Sequence, residues 1–153
     1  MRIALVASGK TQAALPAPAQ DLYVGDLFRA ARDYARAHAE QWFILSAQQG
    51  LLDPRRVVAP YRVLHRPWPR DARLVWARRV VEALPYAIAP IAPPDSLATL
   101  EWVILAGRTY YEYLLPHLGG HIELPLAHLR IGQQVAWLRA QSLELPQRAQ
   151  SLG

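Results

Sequence analysis

The chain has no cysteine and no asparagine, and only one methionine and one lysine among 153 residues. Without cysteine there are no disulfides, no thiolate nucleophile and no thiolate metal ligand. No apolar run reaches the about 18 residues that a membrane helix needs, and no signal-peptide pattern is present. The expectation is a soluble, cytoplasmic protein with no membrane partner. A G-x-G-x-x-G fingerprint is missing after the first apolar strand, which argues against nicotinamide and flavin enzymes. Ser8-Gly9-Lys10-Thr11 faintly resembles a phosphate loop, but no glycine stands five residues before Gly9, so a Walker-type triphosphatase is excluded. None of His38, His65, His117, His121 and His128 shares a helical face with another ligand; His117 and His121 are separated by Gly119-Gly120. Neither a metal nor an organic cofactor is expected.

What is present is basic. The formal charge is +5 with a sequence pI ≈ 10.0, a balance that suits nucleic acid or phosphorylated ligands. Lys10 is the only lysine among 17 basic side chains. Arginine fills the other sites, so a compact ammonium, able to lose its proton when buried, draws notice there. Alanine, arginine, proline and leucine dominate, and few heat-labile residues remain, as in thermophiles. The length fits one domain spanning residues 1–153.

The stretch Trp42–Pro54, WFILSAQQGLLDP, organises the rest. Phe43-Ile44-Leu45 is a short apolar run that breaks into small and polar residues, the pattern of a strand buried on both faces. Ile3–Val6 runs likewise into Ser8-Gly9-Lys10, and Trp102–Leu105 into Gly107-Arg108. Three such strands imply one shared cleft at their carboxyl ends, where open parallel sheets bind ligands.

Taken in order, the chain predicts a strand at Arg2–Val6, an extended piece over Ala13–Gln20, and a helix over Leu27–Ala39 with Asp26 as N-cap. Its apolar set is Leu27, Ala30, Ala31, Tyr34 and Ala35, with Arg29, Arg32 and Arg36 opposite. A strand follows at Trp42–Leu45, then a loop to Tyr61 containing a short extended piece at Val57-Val58. Residues 62–70, with His65, two prolines and Trp68, are long and irregular enough to act as a lid. Asp71 is expected to cap a helix over Ala72–Leu84, with Leu74, Val75, Ala77, Val80, Val81 and Leu84 inward and Arg73, Arg78 and Arg79 exposed. Pro85–Pro94 reads as a surface connector and Glu101–Leu105 as a strand; Gly107-Arg108-Thr109 then opens a helix through Tyr110 to His117, ended by Gly119-Gly120. An edge strand at His121–Leu126, a last helix started by Ile131-Gly132 and running from Gln133 to about Leu143, and a polar tail complete the chain. The alternation of strands and helices implies an α/β, three-layer Rossmann-like domain with a mainly parallel sheet of four or five strands.

The strings SGK at Ser8–Lys10, PAPAQDLYVGDLF at Pro16–Phe28, WFILSAQQGLLDP, LAGRTYYE at Leu105–Glu112 and IGQQVAWL at Ile131–Leu138 carry a resemblance. Over nearly the whole chain the sequence resembles an uncharacterised family of bacterial and phage proteins with SCSKxK, PAxxLYxxxLF and WxILSAKHGLLxP motifs. More distantly it is similar to the YaaA-like group of peroxide-stress and DNA-associated proteins. Ser8 stands where the family has cysteine, and Gln48-Gln49 where it has lysine-histidine; an amide does not replace a base of near-neutral pKa. The resemblance implies nucleobases and nucleic acid, with DNA foremost, or a nucleotide-like small molecule.

The functional expectation is an N-glycosidic bond hydrolase, DNA glycosylase-like, acting in repair of damaged or modified DNA. Asp21 orients water or supports charge on the sugar, and Lys10 acts beside it on a phosphate or leaving base. Tyr23 and Tyr61 stack on a base, and Ser46 and Gln49 read its edge. Ser8, Gly9 and Gly50 line the approach, Asp53 follows them, and Arg108 and Gln133 sit in first turns of helices where anions bind. The competing expectation is a binding module without turnover, favoured by Gln48-Gln49. Turn and cap roles compete for Asp21, Asp53 and Gln133.

Overall fold

The computed structural model describes residues 1–64, 67–91 and 99–143. His65, the connector beyond Ile91 and the tail after Leu143 lie outside them. Five strands form one sheet: β1 (Arg2–Ala7), β3 (Gln41–Ser46), β4 (Gly50–Leu52), β6 (Glu101–Leu105) and β7 (His121–Glu123). Their order across the sheet is β4-β3-β1-β6-β7. β1 pairs in parallel with β3 and β6, and β6 with β7; β4 alone runs antiparallel, against β3. The sheet is therefore mainly parallel, as expected, with β7 at its edge. A separate two-stranded ladder pairs β2 (Ala17–Pro18) with β5 (Val57–Val58).

Alternation along the central strands divides the core. Ile3, Leu5, Phe43, Leu45, Trp102 and Ile104 enter one buried cluster with helix α3 (Arg70–Ile88). Ala4, Val6, Ile44, Val103 and Leu105 enter the other with helices α2 (Asp26–His38) and α5 (Ile131–Leu143). Strands apolar at every position are the ones buried on both faces, and β1, β3 and β6 are read correctly for that reason.

The differences have local causes. Gly50–Leu52 is a strand rather than loop, because Ser46 and Gly50 close a hairpin whose turn needs the positive φ of Gly50 (75°). Ala19–Leu22 forms a single helical turn, α1, where an extended chain was expected. Gly25 is the N-cap of α2, with Asp26 in its first turn, and Pro69 that of α3, with Asp71 inside; no side-chain cap bond is made at either end. The core face of α3 is Trp76, Ala77, Val80, Leu84 and Ile88, while Leu74 and Val75 are 40% and 63% exposed. The large indole of Trp76, whose Nε1–H donates to the Ser46 carbonyl at 2.8 Å, sets that face. The helix runs on through Pro85 to Ile88 instead of stopping at Leu84. Burial of Ile88 on the same face as Leu84 outweighs the missing proline N–H.

Arg73 is not an exposed charge. It pairs with Glu112 at 3.0 Å and lies over the Tyr113 ring. The helix expected to open at Gly107-Arg108-Thr109 does start there, as α4 (Arg108–Tyr111), but it does not run on to His117: a separate 3-10 turn covers Leu115–His117. This break lets Leu114 and Leu118 both bury in the α3 cluster. β7 ends at Glu123, short of the expected Leu126, while α5 starts at Ile131 as expected. Among the described residues no helix is long and apolar enough to cross a membrane.

Candidate functional site

A cavity of about 620 Å³ opens at the carboxyl ends of β1, β3 and β6, within the size range of small-molecule sites. The loop after β1 supplies Ser8, Gly9 and Lys10, and the turn after β3 supplies Ser46, Ala47 and Gln48. The short helix α4 that follows β6 supplies Thr109 and Tyr110. The far wall is the irregular segment after β5, through Tyr61, Val63, Leu64 and Pro67–Pro69, with Ala72 of α3. The segment expected as a lid is thus a wall in its described part.

Each lining group has a local reason for its place. Gly9 has φ +69°, so the chain turns sharply at the end of β1. Ser8 is buried while Lys10, two residues on, is exposed at the mouth. Ser46 is buried at the last position of β3, and its Oγ accepts the Gln49 backbone N–H at 3.0 Å. Tyr61 is held by a two-point clamp: Gln12 Nε2 donates to its carbonyl and Gln12 Oε1 accepts its N–H, at 3.2 and 3.0 Å. Gln48 repeats the device on the next residues, donating to the Arg62 carbonyl at 2.9 Å and accepting the Leu64 N–H at 3.1 Å.

Trp68 closes the aromatic side. Its ring meets Trp76 at 5.0 Å and Tyr110 at 5.6 Å, both edge-on. At the floor, the Tyr61 hydroxyl lies 2.6 Å from that of Tyr23 and 2.9 Å from Ser46 Oγ. Burial, with Tyr61 adding to it, pushes the Tyr23 hydroxyl far above its ordinary pKa, while the Ser46 hydroxyl works the other way. Burial also raises Tyr110, helped by Tyr61 and opposed by the Ser8 hydroxyl. Both phenols are therefore neutral at physiological pH.

Of the residues singled out from sequence, Ser8, Gly9, Lys10, Ser46 and Tyr61 line this cavity together. Tyr23 stands one layer behind, through Tyr61. Asp21 does not line it; it is exposed on α1. Asp53 folds its carboxylate onto Arg55, which holds it below the usual carboxylate range. Gly50 is buried in the hairpin, and Gln49 lies outside the cavity. Arg108 pairs with Glu112 at 3.5 Å. Gln133 accepts the Arg130 N–H as a cap. Gln48 falls within the Ser46–Asp53 stretch expected to line a site, but sequence reasoning did not single out Thr109, Trp68 or Tyr110 as lining groups. Trp68 had a visible signal, an indole between two prolines, in a segment already noted as irregular. No group of three or more histidine, aspartate or glutamate side chains that could hold a metal occurs among the described residues.

A protein-family model matches residues 3–140 of the chain. The protein belongs to this family of unknown function, DUF6884. The match takes in every residue that lines the cavity. No curated protein matches the sequence. Membership of DUF6884 agrees with the expected uncharacterised family and brings no activity with it.

Proposed function

We propose that this DUF6884 protein binds a nucleobase carrying a phosphate, as a free nucleotide or as one nucleotide of a nucleic-acid strand. One observation carries the reading: the cavity joins an aromatic and proline-lined slot to a hydroxyl floor, with Lys10 at its mouth. A flat heterocycle fits between such walls, since base–aromatic stacking contributes about 1–3 kcal/mol per base. A lysine is a compact partner for phosphate. A base extruded from a duplex would enter the same way. The basic charge of the chain and its distant likeness to the YaaA-like group favour nucleic acid as the source, with DNA first. The fold behind the reading is a Rossmann-like three-layer domain, with the ligand at the carboxyl ends of the parallel strands.

Binding is favoured over hydrolysis by the lining itself. Water attack on an N-glycosidic bond uses a carboxylate beside the sugar, and the described lining residues include none. The glycosidase reading built on Asp21 is accordingly the second one. The test is titration of the chain with 5′-mononucleotides, followed by tryptophan emission, to which Trp68 and Trp76 at the site contribute, with mass spectrometry for released base. Mononucleotides should quench the emission. Lys10→Gln should weaken the mononucleotide more than the matching nucleoside, and Asp21→Ala should change neither. Emission indifferent to millimolar mononucleotide would sink the binding reading. Base release that depends on Asp21 would restore the hydrolase.

A further inference from the structure

Three hydroxyls meet at the cavity floor: Tyr23 to Tyr61 at 2.6 Å and Tyr61 to Ser46 at 2.9 Å. Each carries one proton, so three protons serve these two hydrogen bonds, and the weaker approach of the Ser46 hydroxyl to Tyr23 competes for the third. Tyr23 is fully buried, and Tyr61 is its hydrogen-bond partner. A buried donor left unmade is costly, so the Tyr23 proton goes to Tyr61. The contact between Tyr61 and Ser46 takes a second proton, from either side. The third is left over on Ser46 or Tyr61, and both line the cavity.

Two acceptors beside the floor are already occupied. Gln48 Oε1 holds the Leu64 N–H and Ser46 Oγ holds the Gln49 N–H, whereas the Ser8 hydroxyl donates its proton to the Gly9 carbonyl. Lys10, at the mouth, brings only donors. Beside the floor the acceptors are thus filled while one donor is left over, so a ligand group seated against Ser46 and Tyr61 must accept.

We propose that the Ser46–Tyr61 floor selects an oxo group, so that oxopurine and oxopyrimidine nucleotides are taken in preference to their amino counterparts. This rests on the nucleotide-binding reading above. A carbonyl oxygen pointed at the floor receives the surplus proton. An exocyclic amino group in the same place sets donor against donor, and a mismatch of that kind is a strong basis for discrimination. The competing arrangement is a closed ring, in which Ser46 donates back to Tyr23 and the floor shows the ligand no donor.

The experiment compares inosine with adenosine 5′-monophosphate, and uridine with cytidine 5′-monophosphate, on the full chain. Within each pair an oxo group is exchanged for an amino group. The oxo member should bind about tenfold tighter. The preference should vanish in the triple variant Tyr23→Phe, Ser46→Ala, Tyr61→Phe. That variant removes all three hydroxyls together, so that none of them is left buried without its partner, and the Gln49 N–H that Ser46 Oγ accepted belongs to an exposed residue. Equal binding within both pairs, or a preference that survives in the folded triple variant, overturns the proposal and leaves the nucleotide site standing. Failure of all four mononucleotides to bind overturns both.

Discussion

The sheet has two ends, and they are finished differently. At the amino end one side chain gathers the elements. Arg2 pairs with Glu123 and with Glu101 at 3.7 Å, and donates to the His38 carbonyl at 2.9 Å, while its backbone N–H bonds Glu40. Charges there are matched by charges, at the starts of β1 and β6 and the end of α2. At the carboxyl end the fastenings are neutral amides and hydroxyls, and they surround a hollow. A closed end has its polar groups satisfied among themselves; an open end keeps some for a guest. Of the two ends, the carboxyl end holds such groups together with space among the described residues, which is why the proposed nucleotide site lies there.

The largest effect should come from the support beneath the open end. Trp76→Ala removes a buried indole packed on Trp68 and Tyr110 and strands the Ser46 carbonyl. It should cost about 3–5 kcal/mol in denaturant unfolding and abolish nucleotide binding. Arg2→Met separates the two ends. It should lower stability by about 2 kcal/mol, because a part-buried charged donor is lost, while nucleotide affinity stays at the wild-type value. Loss of affinity in Arg2→Met would mean the ends are coupled.

Gln48→Ala should do the reverse of Arg2→Met. Two bonds to the wall disappear, at about 1 kcal/mol each or less, since the freed backbone groups reach water. The affinity loss should exceed the stability loss when both are measured on one preparation. Alkali tests the open end alone. Tyr23 and Tyr110 have hydroxyls raised above the ordinary 10.0, so above pH 10 the folded state holds more protons than the unfolded one. Their contribution is complete below pH 10 and is lost as pH rises further. Melting temperature should fall above pH 10, and more gently in Tyr23→Phe. The smallest effect belongs to Asp53→Ala. Its pair with the exposed Arg55 is screened by solvent, and the change should stay within about 0.5 kcal/mol, with affinity unchanged.

The sheet was legible because β1, β3 and β6 carry unbroken apolar runs of strand length, the mark of burial on both faces. β4 was not, because three residues are too few to show a period of two. The end of α3 was hidden at Pro85, where a local rule against proline met the burial of Ile88. For the site, loops that follow strands could be located from sequence, which is how Ser8, Lys10 and Ser46 were found. Trp68 and Tyr110 come together only through the packing of α3 against the α4 region, which has no sequence period. Asp21 looked catalytic as an acid beside an aromatic; one helical turn at Ala19–Leu22 leaves it in solvent and turns Tyr23 inward.

The two glutamine clamps have a further consequence. Gln12 and Gln48 each offer the wall one donor and one acceptor, as a neighbouring strand does. The wall is thereby tethered by side chains and shares no ladder with the five-stranded sheet. Changes along the described part of the wall should therefore move nucleotide affinity while the pairing of the sheet strands stays as it is.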